Sequence, residues 1–250
     1  MDARIIILGA GCFGGGLVVF FWGLRCFQRK RLMQNTPTSK VEAVALGLAE
    51  LCGRAVPQKT LQSPIEQLPC VYWRYKVEEL RRSGKSNHWV TIDSGERRVP
   101  FYIEDDTGKI LVVPVGATID IPKDLQVEPP KFPLRSELSP RIFEFAEQKG
   151  IELDGVFTPS KRFTEWMIAP GDPLFVFGSV VASEGQPAEP TKIGDRIVCL
   201  DRARDFFFIA DKSAREVETE FAWKAAGGIL GGALLSLAGL GILLECFHRL

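Results

Sequence analysis

Two runs of twenty residues without a single charge, Ile5–Leu24 and Ala225–Leu244, stand at opposite ends of the chain. A helix rises 1.5 Å per residue, so about 20 apolar residues cross the hydrocarbon core of a bilayer. The pattern predicts two transmembrane helices, at 5–24 and 225–244, holding residues 32–220 between them as a water-exposed body. A secretory signal would carry a shorter apolar region of ~7–15 residues and a small-residue cleavage site. Here the first run is followed by Arg25, Arg29, Lys30 and Arg31, a stop-transfer pattern. Gly9-Ala10-Gly11-Cys12 is a poor lipoprotein box, because it lacks a leucine three before the cysteine and the apolar run continues past it.

All 31 basic and 31 acidic residues lie outside the two runs and cancel to a formal net charge of zero. That balance argues against nucleic acid as a partner, for which a basic surface is the first expectation. Cys12, Cys26 and Cys246 lie in or beside the apolar runs, leaving Cys52, Cys70 and Cys199 with His88 in the middle. Structural zinc sites bring ligands in pairs two to four residues apart. None is paired here, so the cysteines are read as small buried hydrophobes, and neither a metal nor another cofactor is expected.

Small residues four apart, Gly11 with Gly15 and Gly228 with Gly232, would let helix backbones approach closely and support helix-mediated self-association. Phe20, Phe21, Trp22 and Phe27, with Phe221 and Trp223, suit the aromatic belts at the headgroups. Arg29, Lys30 and Arg31 outweigh Arg4, which orients the middle toward the cytoplasm.

The middle reads as mainly β. Thr36-Pro37 has the form of a helix start continuing to Ala45, with Gly47 as its stop, and Leu48–Val56 then reads as a strand. Val71, Trp73, Tyr75 and Val77 alternate with Tyr72, Arg74, Lys76 and Glu78, the period of a half-buried strand with the second set outward. Arg81-Arg82-Ser83-Gly84-Lys85-Ser86-Asn87 becomes the basic head of a hairpin that returns through His88–Ile92. Further strands are expected at Phe101–Ile103, Lys109–Val113, Phe163–Ile168, Leu174–Val181, Ile197–Leu200 and Phe206–Ile209, and a helix from Ser139-Pro140 to Lys149. The fold class is therefore α+β, mainly β: a compact sandwich or barrel with two edge helices, flanked by two transmembrane helices.

Asp93-Ser94-Gly95 and Asp106-Thr107-Gly108 match the short signature of aspartic proteases, but such triplets are also what hairpin turns use, and turns are the reading here. No Gly-x-Ser-x-Gly occurs, and Gly84-Lys85-Ser86 lacks the earlier glycine of a phosphate loop, having Glu79 in its place. No catalytic residue is assigned.

The stretches Asn35–Lys40, Gly47 to Gly53, Cys70–Tyr75, Arg82–Lys85, Phe101–Gly108, Glu165 with Pro170-Gly171-Asp172, and Phe206–Lys212 together resemble the GIDE-type, or "beside a membrane", domain over about Gln34–Arg215. The resemblance implies a membrane-adjacent module between two membrane helices, as in a mitochondrial E3 ubiquitin ligase. In that protein the domain faces the intermembrane space, so the resemblance and the charge pattern imply different sides. The ligase activity there belongs to a carboxy-terminal RING with several paired Cys and His ligands, of which only Cys246 and His248 follow Leu244 here. The leading expectation is a two-anchor membrane protein whose domain binds a lipid or a membrane-proximal protein through Tyr72, Arg74, Arg81, Arg82 and Lys85. The alternative is ubiquitin transfer.

Overall fold

The computed structural model describes residues 3–84, 86–128, 139–153, 159–182, 196–200 and 206–248. It begins with helix α1 (Ala3–Gln34), followed by β1 (Thr38–Ser39), β2 (Gly47–Pro57), and the short β3 (Leu61–Gln62) and β4 (Pro69–Cys70). The long pair β5 (Tyr72–Ser83) and β6 (Ser86–Arg98) precedes β7 (Phe101–Glu104), β8 (Lys109–Val112), β9 (Thr118–Asp120) and β10 (Leu125–Val127). Then come α2 (Pro140–Gln148), β11 (Lys161–Ile168), β12 (Pro173–Ala182), β13 (Arg196–Cys199), β14 (Phe208–Ala210) and α3 (Ala214–His248). Two compact units result, Met1–Pro37 with Ser213–Leu250, and Thr38–Lys212.

In the helical unit α1 and α3 are each long and apolar enough to cross a membrane. They run antiparallel: a Cβ built on Gly9 would meet Ile242 and Leu243, one on Gly16 would lie 2.5 Å from the Ser236 amide nitrogen, and one on Gly23 2.5 Å from that of Ile229. Gly228 and Gly232 face this seam as expected, but Gly11 and Gly15 meet nothing. The α1 seam follows glycines seven apart, the 3.5-residue period of a left-handed helix pair, rather than the four-residue spacing. Ser213 opens α3 with a capping box, its amide donating to Glu216 Oε2 at 2.9 Å while the Glu216 amide donates back to Ser213 Oγ at 3.4 Å.

The second unit is built on a closed five-stranded barrel. Its strands follow the order β2-β7-β8-β13-β12 and return to β2, with β8 and β13 parallel and every other neighbour antiparallel. Numbered by their order in the chain the barrel strands run 1-2-3-5-4-1, the connectivity of the Greek-key barrel called the OB fold. Closure removes free edges, and alternate residues of each strand fill the interior: Leu51, Ile103, Ile110, Val112, Val176 and Val198 are all buried in one cluster. β12 is buried on both faces, its outward Phe177 packing on Phe206 at 5.3 Å, which in turn stacks on Phe208 at 6.1 Å.

Two excursions from the barrel form a separate antiparallel sheet of order β10-β11-β5-β6. One face packs on α2, where Tyr75, Val77 and Phe163 meet Ile142, Phe145 and Ala146. Tyr75 and Phe145 touch edge to face at 5.1 Å, the geometry favoured by the ring quadrupoles. α2 matches its reading: Pro140 opens it, and Gly150 at φ +64 follows its end.

Three readings are corrected. No helix forms over Thr36–Ala45: Thr36 Oγ1 donates to the Leu32 carbonyl at 2.9 Å and so closes α1, and Thr38–Ser39 pairs in parallel with Glu50–Leu51. Asp93-Ser94-Gly95 is not a turn but part of β6, opposite Val77, Lys76 and Tyr75. A bulge between Val77 and Glu78 leaves Ile92 as the extra residue there. Tyr72 is not outward-facing: it is 2 % exposed and belongs to the barrel core cluster.

Candidate ligand-binding face of the open sheet

The sequence placed five candidate residues on the β5–β6 hairpin, and the structure separates them. Tyr72 lies where the sheet meets the barrel, and burial pushes its phenol up despite the charges of Arg74 and Arg98. Arg81 and Arg82 are exposed near the far end, but in the ladder rather than a loop, opposite His88 and Asn87. Pairing continues to Ser83 with Ser86, and Gly84 takes φ +60 in the turn; Lys85 lies outside the described residues. Arg81 Nε donates to Glu79 Oε1 at 2.9 Å, and this bond is the main reason the Glu79 carboxyl sits below its ordinary value. Arg82 donates only to the Gly84 carbonyl, at 3.4 Å, and makes no ion pair among the described residues.

Arg74 is the residue with the distinctive surroundings. Register places it between Trp166 of β11 and Glu96 of β6, while the next row on the same face is Thr164, Lys76 and Ser94. The Arg74 guanidinium lies over the Trp166 ring, 4.3 Å from its centroid. Its Nε is buried without a hydrogen-bond partner. The cross-strand carboxylate is not available to it: Glu96 pairs with Arg98, which also donates to the Pro114 and Ala117 carbonyls at 2.9 and 3.1 Å. Lys76 is held by Glu78 at 2.6 Å. A groove of about 500 Å³ opens here, lined by Arg74, Lys76, Ser94, Gly95, Glu96 and Trp166.

Gly95 is required where it stands, because a Cβ there would come 2.6 Å from Tyr75 Cε1. On the opposite face Glu165, fully buried, accepts hydrogen bonds from the Ser63 hydroxyl at 3.1 Å and the Ile65 and Glu66 amides at 2.9 and 3.0 Å. Burial pushes its carboxyl up and these donors only partly offset that. It is an internal anchor for the turn between β3 and β4. Cys70 nearby has its thiol pushed up to about 12 by burial and by the Glu165 and Asp124 charges, so it is an unreactive core residue. Among the described residues no group of three or more His, Cys, Asp or Glu side chains is placed to hold a metal.

Asp106-Thr107-Gly108 is the turn the sequence implied. Asp105 Oδ1 accepts from the Thr107 amide, the Thr107 hydroxyl and the Gly108 amide at 2.7, 2.6 and 3.1 Å, and Oδ2 from the Val41 amide at 3.0 Å. Both protease-like triplets are thus occupied by strand and turn duties.

These features define a protein with two helices long and apolar enough to cross a membrane and a β-rich module whose polar chemistry gathers on one open sheet. The chain belongs to the GIDE family: the family model, described as E3 Ubiquitin ligase, matches residues 72–244. That span takes in the open sheet, four of the five barrel strands and most of α3, but not β2. No curated protein and no solved structure matches the chain. Arg74 was read as an exposed strand residue and is half-buried instead; its groove was not legible, because Trp166 reaches it only through the pairing of β5 with β11, some ninety positions apart.

Proposed function

We propose that this protein is a two-anchor membrane binding module, a scaffold or sensor whose GIDE domain takes an anionic partner, protein or lipid, on the β5–β6 hairpin. The observation that supports this most directly is a cation on each end of that hairpin with no ion pair among the described residues, Arg82 at the tip and Arg74 on the sheet face. The charge pattern after the first apolar run favours a cytoplasmic position for the domain. Photocrosslinkers at exposed Asn87, with exposed Thr60 as control, test the reading in native membranes. Discrete adducts at position 87 that disappear in Arg81→Glu/Arg82→Glu support it; identical patterns at 60 and 87 overturn it. An impermeant thiol reagent on Asn87→Cys reports the side of the membrane.

The family description favours a second reading, ubiquitin transfer. Full-length chain incubated with ubiquitin and its activating and conjugating enzymes distinguishes the two. Conjugates formed without any added ligase support transfer, and their absence across a panel of conjugating enzymes argues for the binding role.

A further inference from the structure

On the open sheet the carboxylates are already engaged: Glu78 holds Lys76 and lies 3.9 Å from Arg162, Glu79 binds Arg81 and lies 3.6 Å from Lys161, and Glu96 is bound by Arg98. Arg74 is left with an aromatic ring beneath it and no anion among the described residues. Its contact with the Trp166 ring restrains the guanidinium, so less freedom is lost when its N–H groups bind a ligand. The groove beside it lies within the ~300–1,000 Å³ usual for small-molecule sites, more than a single ion needs.

We infer that this groove is a binding site for a singly phosphorylated group, with Arg74 as its principal donor and Lys76 and Ser94 as further contacts. The inference rests on the reading of the domain as a binding module and names the ligand class. Three kinds of donor meet here: a fork, a point charge and a hydroxyl. A phosphate monoester brings a charge of about −1.5 to −2 and three strong acceptor oxygens to two cations and a hydroxyl, whereas a carboxylate brings a single charge. Glu96 also lines the groove, so a ligand with several phosphates would bring further negative charge toward a carboxylate. The phosphate belongs to a lipid headgroup or to a soluble ester, and the chemistry at Arg74 is the same for both.

The experiment uses full-length protein in detergent for calorimetric titration with glycerol 3-phosphate, and full-length protein for flotation with phosphatidylcholine vesicles with or without phosphatidic acid. Saturable glycerol 3-phosphate binding by the wild type is expected, weakened roughly tenfold or more in Arg74→Gln and less in Arg74→Lys, which retains the charge but loses the fork. Ser94→Asp places a negative charge in the groove while leaving the Arg74–Trp166 stack intact, and is expected to weaken binding similarly. Enhanced flotation with phosphatidic acid that depends on Arg74 assigns the phosphate to lipid; binding confined to the soluble ester assigns it to a soluble ligand. Absence of saturable binding to either probe overturns the site. So does undiminished binding in Arg74→Gln and Ser94→Asp proteins that keep the wild-type unfolding midpoint. Loss of the groove with Asn87 adducts intact removes this inference alone, whereas loss of those adducts with the groove intact removes the hairpin-tip reading.

Discussion

The closed barrel and the open sheet solve the same problem in opposite ways. In the barrel β2 and β12 have partners along both edges, and aliphatic side chains from five strands fill one interior. In the open sheet β6 is an edge strand; one face is covered by α2 through aromatic contacts, and the other presents a row of cations, acids and indoles. Free edges invite pairing with other chains, and β6 is defended by its bulge and its polar composition. The barrel therefore contributes mostly stability, while the sheet has surface to spare for recognition. Several donors converge on a carboxylate in each region, on half-buried Asp105 in the barrel hairpin and on buried Glu165 under the sheet.

The largest expected effect lies in the barrel. Ile103→Ala empties space at a fully buried position of a strand paired on both sides, and should lower the unfolding free energy by about 3 kcal/mol. Denaturant titration of the full chain in detergent measures it. A loss below about 1 kcal/mol would mean that the barrel is not the stabilising core. Glu165→Gln comes next, at about 2 kcal/mol, because an amide NH2 would face groups that already donate. Hydrogen exchange at the Ile65 and Glu66 amides should rise first in this variant; protection unchanged there would contradict the anchoring role.

How far the sequence could be read differs between the two regions for a physical reason. Hairpins such as β7–β8 and the alternation of Tyr75 with Val77 are local and were legible, as was α2 with its proline start and glycine stop. Barrel closure depends on parallel pairing of β8 with β13 and on β2 meeting β12, contacts between distant segments that no local pattern encodes. β9 and β10 went unread because three residues carry no period. Tyr72 was assigned to solvent because alternation assumes one covered face, and the start of β5 is covered on both. Asp93-Ser94-Gly95 passed for a turn because glycine usually marks one, whereas here the Tyr75 ring lies over Gly95 and takes the place of a side chain.

Buried Glu165 and half-buried Asp105 set opposite pH responses, which sharpens the contrast. Burial pushes Glu165 up, so its folded value lies above the ordinary glutamate value of about 4.3. Between those values the folded chain binds more protons than the unfolded one, and stability rises as pH falls through that window. Asp124 and Asp211, also pushed up by burial and by the Asp172 charge, act in the same direction. For Asp105 burial acts upward, but its donors outweigh it and leave the carboxyl below the ordinary value of about 3.9. Its contribution is therefore present above that value and disappears as pH falls through the lower folded one. Unfolding midpoints measured against pH should show a shallower acid-side rise in Glu165→Gln and a weaker final loss in Asp105→Asn. An unchanged profile in both variants would remove the assignment of opposite signs.

The smallest effect on stability belongs at the hairpin tip, where Arg81→Glu/Arg82→Glu replaces two exposed side chains. One surface ion pair is lost there, Arg81 with Glu79, and exposed pairs contribute at most about 1 kcal/mol. The new charges also stand beside Glu79, which Lys161 still faces at 3.6 Å, so part of the repulsion is absorbed. The unfolding free energy should therefore change by about 1 kcal/mol or less, while the Asn87 adducts disappear. A loss of 2 kcal/mol or more would show that the far end of the sheet supports the fold as the barrel does, and the division of labour between the two regions would no longer stand.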